Sequence, residues 1–238
     1  MIKKGDLYLI PNTIGRQEIN YSIPIEVIKI INELNYFIAE NEKVTRSFIK
    51  LVAPEKSQKN IVINILNKHT SINESNSFLD ECLKGKSIGL VSDAGCPAIA
   101  DPGSSLIANA HLLKIKVRPL VGASSIFLAL MSSGMNGQNF AFNGYLPIEK
   151  NERRKKIKFL EKKVVTNNQS QIFMETPYRN DSLFEDLLKI LSVSTRLCVA
   201  SDITLENEEI RTKTIKEWRN TKKMRLNKRP TIFIIDKY

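Results

Sequence analysis

The sequence predicts an α/β protein of two domains whose first sheet is mostly parallel. Short apolar segments alternate with helical patterns along the chain, which is typical of βα units around a parallel sheet. The 238 residues are enough for one large domain or two small ones, each with its own core. The alternation restarts after Gly134, and we predict a boundary near residue 120, with domains at 1–120 and 121–238.

The first predicted domain holds five strands with helices between them. The segment 71–85 shows how the helix ends are marked: Ser71 and Glu74 form a capping-box pattern at its start, and Gly85 closes it. The predicted strands are LYLI (7–10), YFIA (36–39), NIVINIL (60–66), SIGLVS (87–92) and KVRPL (116–120), and the predicted helices begin at Pro24, Thr45, Ser71 and about Ser104.

The second predicted domain opens with small residues that lead into a helix ending at Gly134. A strongly basic helix follows the next strand, and a later helix has leucines and Phe184 on one face. The predicted strands are FAFNGY (140–145), QIFMET (171–176), RLCVAS (196–201) and TIFII (231–235), and the predicted helices are 121–134, 151–163 and 180–191.

The composition argues against several classes of protein. No apolar run approaches the roughly 20 residues of a membrane span, and the N-terminus lacks the long apolar core of a signal peptide. Cys82, Cys96 and Cys198 share no CxxC spacing, and the chain has two histidines, so we expect no zinc or other metal site. We therefore expect a cytoplasmic protein that does not contact a membrane.

The charge is unevenly distributed. The formal net charge is +11, and residues after 120 hold 21 basic and 13 acidic side chains, against 15 and 12 before. The excess is concentrated in two runs, 151–163 and 211–230. Such runs can neutralise the phosphates of a nucleic acid. A chain rich in Lys, Ile and Asn also arises from an AT-rich genome, so charge alone leaves both explanations open.

Four segments rich in glycine, proline and small residues follow predicted strands: IPNTIG (10–15), SDAGCPAIADPG (92–103), VGASS (121–125) and METPYR (174–179). Ligands of open parallel sheets bind beyond the carboxyl ends of the strands, and small residues let a ligand approach the backbone. The chain has neither GxGxxG nor GxxxxGK[ST], so neither a Rossmann dinucleotide site nor a P-loop is supported.

These four segments, in this order, resemble the ribosomal small-subunit RNA methyltransferase I family, which belongs to the tetrapyrrole-methylase-like class of S-adenosylmethionine (SAM) enzymes. The match runs nearly end to end and includes FNGYLP (142–147). The resemblance implies two α/β domains, the second with a mixed sheet, and SAM folded into the cleft between them. It also implies a homodimer that acts on ribosomal RNA or the small ribosomal subunit.

The resemblance assigns seven residues to the cofactor. Three lie in the loop after the fourth strand and approach the methionine part of SAM through their backbone. Two are the serines after the fifth strand, which meet SAM from the opposite side, and two end strands of the second domain and line the adenosine pocket. The predicted residues are Gly95, Pro97, Ile99, Ser124, Ser125, Met174 and Ala200.

Methyl transfer from a sulfonium needs an in-line nucleophile, so positioning supplies much of the acceleration. A ribose 2′-hydroxyl also needs a base that takes its proton. The candidates by motif position are Glu40, Asp101 and Glu175, and the sequence does not choose among them. Asp101 can equally cap the helix that follows it.

Four arginines are candidates for RNA contact: Arg46, Arg153, Arg154 and Arg179. The acceptor side, however, departs from the family pattern in the segments GRQEIN (15–20), ENEKVTR (40–46) and NKHT (67–70). Three hypotheses therefore stand: an RNA 2′-O-ribose methyltransferase, a methyltransferase of a small tetrapyrrole-like acceptor, and a basic RNA-binding or assembly protein without catalysis.

Overall fold

A computed structural model of the chain describes residues 3–15, 19–222 and 224–237. The chain divides into two units, one ending at Ser124 and the other beginning at Ser125. The boundary that we predicted near residue 120 lies four residues earlier. Near this boundary, the carbonyl of Ala123 accepts a hydrogen bond from Cys96 Sγ of the same unit at 3.5 Å.

The first unit contains five parallel strands in the order β3-β2-β4-β1-β5. Their side chains are largely apolar, and β4 is buried along its whole length, as expected for a parallel sheet with both faces covered. The strands are β1 (Leu7–Ile10), β2 (Tyr36–Ala39), β3 (Val62–Ile65), β4 (Ile88–Val91) and β5 (Val117–Pro119).

Helices cover both faces of this sheet. Phe37 and Ile38 are neighbours in β2 and point to opposite faces, so each enters a different core. The Phe37 core includes Ile31 and Ile49 from α2 and α3, and the Ile38 core includes Leu106 from α6. The helices are α1 (Ile19–Ser22), α2 (Ile25–Glu33), α3 (Glu42–Val52), α4 (Ile72–Ser77), α5 (Asp80–Leu83) and α6 (Ser104–Leu112).

The second unit contains a mixed five-stranded sheet in the order β6-β7-β10-β8-β9. The β6–β7 pair is parallel, and the remaining three pairs are antiparallel. A parallel sheet followed by a mixed one confirms the predicted fold class. The strands are β6 (Phe140–Tyr145), β7 (Ser170–Met174), β8 (Arg196–Ser201), β9 (Glu209–Thr214) and β10 (Thr231–Asp236).

The helices of the second unit divide between the faces of its sheet. Three of them share a core with Phe173 and Phe233, whose rings stack at 6.0 Å between centroids. The fourth, α7, lies on the other face, where Thr212 Oγ1 donates to the carbonyl of Ser133 at 2.8 Å. The helices are α7 (Ser125–Ser133), α8 (Lys150–Asn167), α9 (Asn180–Ile190) and α10 (Ile215–Arg219).

The first part of the basic run 211–230 lies in β9 and α10, neither of which the sequence predicted. Strand β9 lies at the edge of the sheet and is only half-buried, so its residues lack a clear apolar signal. Trp218 of α10 is buried and donates from Nε1 to the carbonyl of Leu197 at 2.8 Å. Lys223, part of the predicted cationic cluster, lies outside the described residues.

Candidate functional site

The carboxyl ends of three adjacent strands form the candidate site of the first unit. Strands β4, β1 and β5 are neighbours and parallel, so the segments that follow them meet at one edge of the sheet. These segments are three of the four that the sequence singled out: 10–15 at the end of β1, 92–103 after β4 and 121–125 after β5, the last of which ends at the first residue of the second unit. The tertiary structure therefore brings together segments more than 100 residues apart in sequence.

Asn12 connects the segment after β1 to the segment after β4. It is 4% exposed, and its backbone N–H donates to the carbonyl of Gly95 at 2.8 Å. Its side-chain Nδ2 donates to the carbonyls of Ser92 at 3.0 Å and Asp93 at 3.2 Å. Ser92 Oγ donates in turn to the carbonyl of Gly95 at 2.8 Å. A small hydrogen-bond network thus holds the beginning of the 92–103 loop.

Glycines allow these segments to approach one another closely. A Cβ on Gly122 would lie 2.2 Å from Pro11 Cγ, so no side chain fits at that position. Gly95 has φ +66°, a left-handed conformation that glycine adopts without strain, and a Cβ there would face Ile14 at 3.4 Å. Packing therefore excludes a side chain at Gly122, whereas the left-handed backbone favours glycine at Gly95.

The middle of the 92–103 loop has an unusual backbone. Ala98 and Ala100 both have φ of 64°, a left-handed conformation that costs residues with a Cβ roughly 1–2 kcal/mol each. Pro97 between Gly95 and these alanines is buried, whereas Ile99 is 52% exposed. Strain of this kind persists where the surrounding structure imposes it, and it is concentrated at functional sites.

Three carboxylates lie at the same edge of the sheet. Glu40 follows β2, and Asp93 and Asp101 belong to the loop after β4. Burial, followed by the charges of Glu40 and Asp93, raises the pKa of Asp101 to about 6. Burial also raises the pKa of Asp93. Asp101 is not the N-cap residue of α6, because Gly103 occupies that position, where no side-chain cap hydrogen bond is made among the described residues.

In the second unit, Met174 and Ala200 lie on one face of the sheet. Each is opposite Ile232 of β10, so the three side chains form a row across β7, β10 and β8. This is the face that carries α7, which begins at Ser125. Ala200 is fully buried, and Met174 and Ser125 are half-buried. Ser124, the last residue of the first unit, is half-buried as well.

Glu175, the third candidate base, directly follows β7, and its carboxylate is already engaged in hydrogen bonds. Its side chain is 1% exposed, and Oε1 accepts hydrogen bonds from Arg179 Nη2 and from the backbone N–H of Thr176, both at 2.6 Å. Its other oxygen, Oε2, is buried and has no hydrogen-bond partner among the residues that the structure describes. Arg179, predicted to contact RNA, therefore has part of its guanidinium engaged with a buried carboxylate.

The structure corrects the RNA-contact prediction for Arg153. This residue is 8% exposed, and its Nε and Nη2 donate to Asp186 Oδ2 at 2.8 and 2.6 Å. A guanidinium held in a buried ion pair between α8 and α9 is not available to a phosphate. Its neighbour Arg154 is exposed and forms no ion pair within the part of the chain that the structure describes.

Other predicted cations are also engaged in the fold. Arg46 pairs with Glu42 at 2.8 Å and donates to the carbonyls of Gln58 and Ile61, which ties α3 to the segment before β3. Arg229 pairs with Asp202 at 2.5 Å and Glu209 at 3.0 Å. Arg229, the last residue of the cationic cluster 211–229, therefore stabilises the second unit, a role that the composition alone does not indicate.

Two residues that hold these segments and side chains in place, Asn12 and Asp186, were not predicted from the sequence. Asn12 stands at a strand end in a predicted segment, but its hydrogen bonds to residues 80 positions away have no sequence signal.

In residues 3–15, 19–222 and 224–237, no group of three or more His, Cys, Asp or Glu side chains is placed to hold a metal ion. Within the same ranges, no helix is long and apolar enough to cross a membrane.

Comparisons with known proteins identify the relatives of this chain. The ribosomal RNA small subunit methyltransferase I of Buchnera aphidicola subsp. Schizaphis graminum is 32% identical, covering 98% of this chain and 79% of that protein. The proteins of the same name from Halalkalibacterium halodurans and Bacillus subtilis are 30% and 29% identical, over 90% and 93% of this chain and 70% and 72% of their own.

Solved structures share the fold at low sequence identity. The methyltransferase CobJ has a TM-score of 0.65 at 15% identity, covering 98% of this chain and 94% of its own. The cobalt precorrin-4 methyltransferase CbiF has a TM-score of 0.58 at 15% identity, over 97% and 94%. The family model for tetrapyrrole (corrin/porphyrin) methylases matches residues 21–218. The chain therefore belongs to the tetrapyrrole (corrin/porphyrin) methylase family and is a methyltransferase.

Proposed function

We propose that this methyltransferase transfers the methyl group of SAM to a ribose 2′-hydroxyl of small-subunit ribosomal RNA. The observation that carries the proposal is the near end-to-end similarity, at about 30% identity, to proteins named ribosomal RNA small subunit methyltransferase I. The net charge of +11 agrees with a polyanionic substrate. The solved structures have 15% identity or less and support the fold alone, so they do not favour a tetrapyrrole acceptor.

The strand-end segments suit SAM in two respects. Their small residues let a ligand approach the backbone closely, and the carboxylates of Asp93 and Asp101 complement a ligand that carries a sulfonium and an ammonium group. When bound, SAM would supply an electrophilic methyl group. The residues that we propose to hold it are Gly95, Pro97, Ile99, Ser124, Ser125, Met174 and Ala200.

Among the three candidate bases, Asp101 is best suited to accept the proton of the hydroxyl. A raised pKa of about 6 leaves it mostly ionised at neutral pH and makes it a stronger base than an ordinary carboxylate. Glu175 is already held by Arg179 and by the backbone of Thr176, so we assign it a positioning role. Glu40 is exposed and contributes by its charge, which helps to raise the pKa of Asp101.

We extend the proposal to the protein's partners. The enzyme would act as a homodimer on ribosomal RNA or on the small subunit, and it would therefore work in the cytoplasm, where ribosomes are assembled. The departures from the family pattern at 15–20, 40–46 and 67–70 concern the acceptor side, and residues 16–18 of the first lie outside the described ranges. An enzyme with an altered acceptor side is expected to methylate a different nucleotide before it loses the RNA substrate class.

The decisive experiment is methyl incorporation from labelled SAM into RNA of a strain that lacks the gene. Naked RNA and isolated small subunits are tested separately, because an assembled subunit presents different loops. A 2′-O-methyl product protects the adjacent phosphodiester from alkaline hydrolysis, which locates the nucleotide. Binding of SAM without incorporation into either RNA would contradict the RNA assignment, and absence of SAM binding would contradict the cofactor as well. The variant Ser124→Phe serves as the inactive control.

A further inference from the structure

The outer face of α8 exposes an aromatic ring that the core does not require. The helix is anchored by Ile157, Leu160 and Val164, which are at most 1% exposed and face the sheet. Phe159 lies on the other side of the helix and is 50% exposed. Leaving half of a phenylalanine in water forgoes the stabilisation that its burial would bring. An exposed aromatic residue in a soluble helix is therefore a candidate contact residue.

Four lysines surround this ring. Lys155, Lys156, Lys162 and Lys163 stand at positions i−4, i−3, i+3 and i+4 relative to Phe159, which are its neighbours on a helix surface. The amines of Lys156 and Lys163 lie 5.4 and 5.5 Å from the ring centroid. We call these five residues the Phe159 patch.

The charge of the Phe159 patch is largely uncompensated. Lys155 pairs with Glu152 at 2.8 Å, in an exposed ion pair of small energy. Lys156, Lys162 and Lys163 form no ion pair within the ranges that the structure describes. The patch therefore combines a positive field with one half-exposed aromatic ring.

We propose that the Phe159 patch binds single-stranded RNA, with one base stacked on the phenyl ring and neighbouring phosphates held by the lysines. Aromatic rings beside basic side chains are the usual recognition surface for unpaired strands, since every base has a stackable face. A duplex hides its base faces and would use the lysines only. The inference rests on the proposed function for the identity of the polyanion. It goes further by naming the part of the protein that receives the RNA strand.

Other occupants fit the patch less well. A helix that binds a membrane surface presents a broad apolar face to the lipid, but the apolar face of α8 is buried in the second unit. An acidic protein would match the lysines without making use of the ring. The charge and the single ring together favour an unpaired nucleic acid strand.

Fluorescence anisotropy of a labelled single-stranded RNA tests the stacking contact. Phe159→Ala should weaken binding by about 5- to 150-fold, the range that one base–aromatic stack supplies. Phe159→Trp should retain the affinity, and RNA should quench the emission of the introduced indole. Val165→Ala is the matched control, because Val165 is a 60% exposed apolar residue of the same helix that is not part of the patch.

The lysines are tested by the salt dependence of the same binding. Changing Lys156 and Lys163 to glutamine should reduce the slope of log affinity against log salt by about 1.4, since each phosphate contact on a single strand contributes about 0.7. The control carries the same charge change at Lys50 and Lys59, two exposed lysines of the first unit. It should leave the slope close to that of the unmodified protein.

The results separate this inference from the proposed function. Equal RNA affinity of Phe159→Ala and Val165→Ala would overturn the stacking proposal, even if the unmodified enzyme methylates RNA. If Phe159→Ala loses binding to anionic vesicles while its RNA affinity is unchanged, this result would overturn the stacking proposal in favour of a membrane surface. Weaker RNA binding by Phe159→Ala would support it, even if labelled SAM shows no transfer to RNA and the proposed function fails.

Discussion

Asn12 and Gly95 form an isolated antiparallel bridge that joins the segment after β1 to the loop after β4. The backbone N–H of Asn12 donates to Gly95 across 2.8 Å, and the Asn12 side chain donates to two further carbonyls of the same loop. The 92–103 loop thus begins from a fixed position, although its middle adopts a strained conformation at Ala98 and Ala100. This relationship makes Asn12 a residue on which the geometry of the candidate cofactor loop depends.

Replacing Asn12 should therefore damage both stability and cofactor binding. Asn12→Ala leaves the carbonyls of Ser92 and Asp93 without their donor, and we expect a loss of about 1–3 kcal/mol in the free energy of unfolding. Asn12→Asp has the same shape but places a charged acceptor against two carbonyl oxygens, so it should be worse. Urea unfolding and calorimetry with SAM measure the two effects. Equal stability of Asn12→Ala and the unmodified protein would show that the Asn12 side-chain hydrogen bonds contribute little to the free energy of unfolding.

Ser124 and Gly95 test the cofactor site in different ways. Gly95 adopts φ +66° and a side chain there would meet Ile14, so Gly95→Phe should reduce stability as well as SAM binding. Ser124 is half-buried and has no such constraint, so Ser124→Phe should abolish SAM binding with little change in the unfolding midpoint. Calorimetry in the presence of a chelator also tests whether binding needs a metal. A stable Ser124→Phe protein that still binds SAM would exclude this segment from the site.

The raised pKa of Asp101 predicts a specific dependence of stability on pH. The folded chain keeps the Asp101 proton up to about pH 6, whereas the unfolded chain releases it near 3.8. The folded state therefore binds more protons in this window, and the contribution of Asp101 to stability falls as the pH rises from about 4 to 6. Asp101→Asn removes the charge and should be more stable than the unmodified protein at pH 7.5 but not at pH 3.5. Urea unfolding at these two pH values provides the comparison.

The same substitution tests the proposed role in catalysis. If Asp101 takes the proton of the 2′-hydroxyl, Asp101→Asn should lower the methyl-transfer rate at saturating SAM by roughly 10²- to 10⁴-fold. The rate of the unmodified enzyme should fall below about pH 6, because the carboxylate is then protonated. A variant that gains stability and keeps its rate would limit Asp101 to a structural role.

Arg153 and Arg154 are adjacent in sequence but should behave differently. Arg153→Ala leaves Asp186 buried without a partner, and we expect a loss of about 3–5 kcal/mol in stability. Arg154→Ala should change stability by less than about 0.5 kcal/mol, because its side chain is exposed. Arg154→Glu should weaken RNA binding and leave SAM affinity unchanged. Thermal unfolding and RNA anisotropy distinguish the two residues, and a stable Arg153→Ala protein would contradict the assigned ion pair.

From the sequence alone, nine of the ten strands that the structure describes could be predicted, all except β9, together with the location of the candidate cofactor segments. Alternation of apolar strands and helical patterns is a local property, and every predicted strand, from Leu7–Ile10 to Thr231–Asp236, is present in the structure. Glycine and proline at strand ends are local signals too, so the segments 92–103 and 121–125 could be recognised before their positions in space were known.

Which polar side chains are free to act depends on contacts that appear only in the folded chain. Arg153 and Arg154 look alike in a basic run, and the difference between them is Asp186, a partner 33 residues away that local patterns do not reveal. Asp101 differs from an ordinary capping aspartate because burial and the charges of Glu40 and Asp93 raise its pKa. Burial and charge pairing depend on residues distant in sequence, whereas helix and strand formation depends mainly on near neighbours.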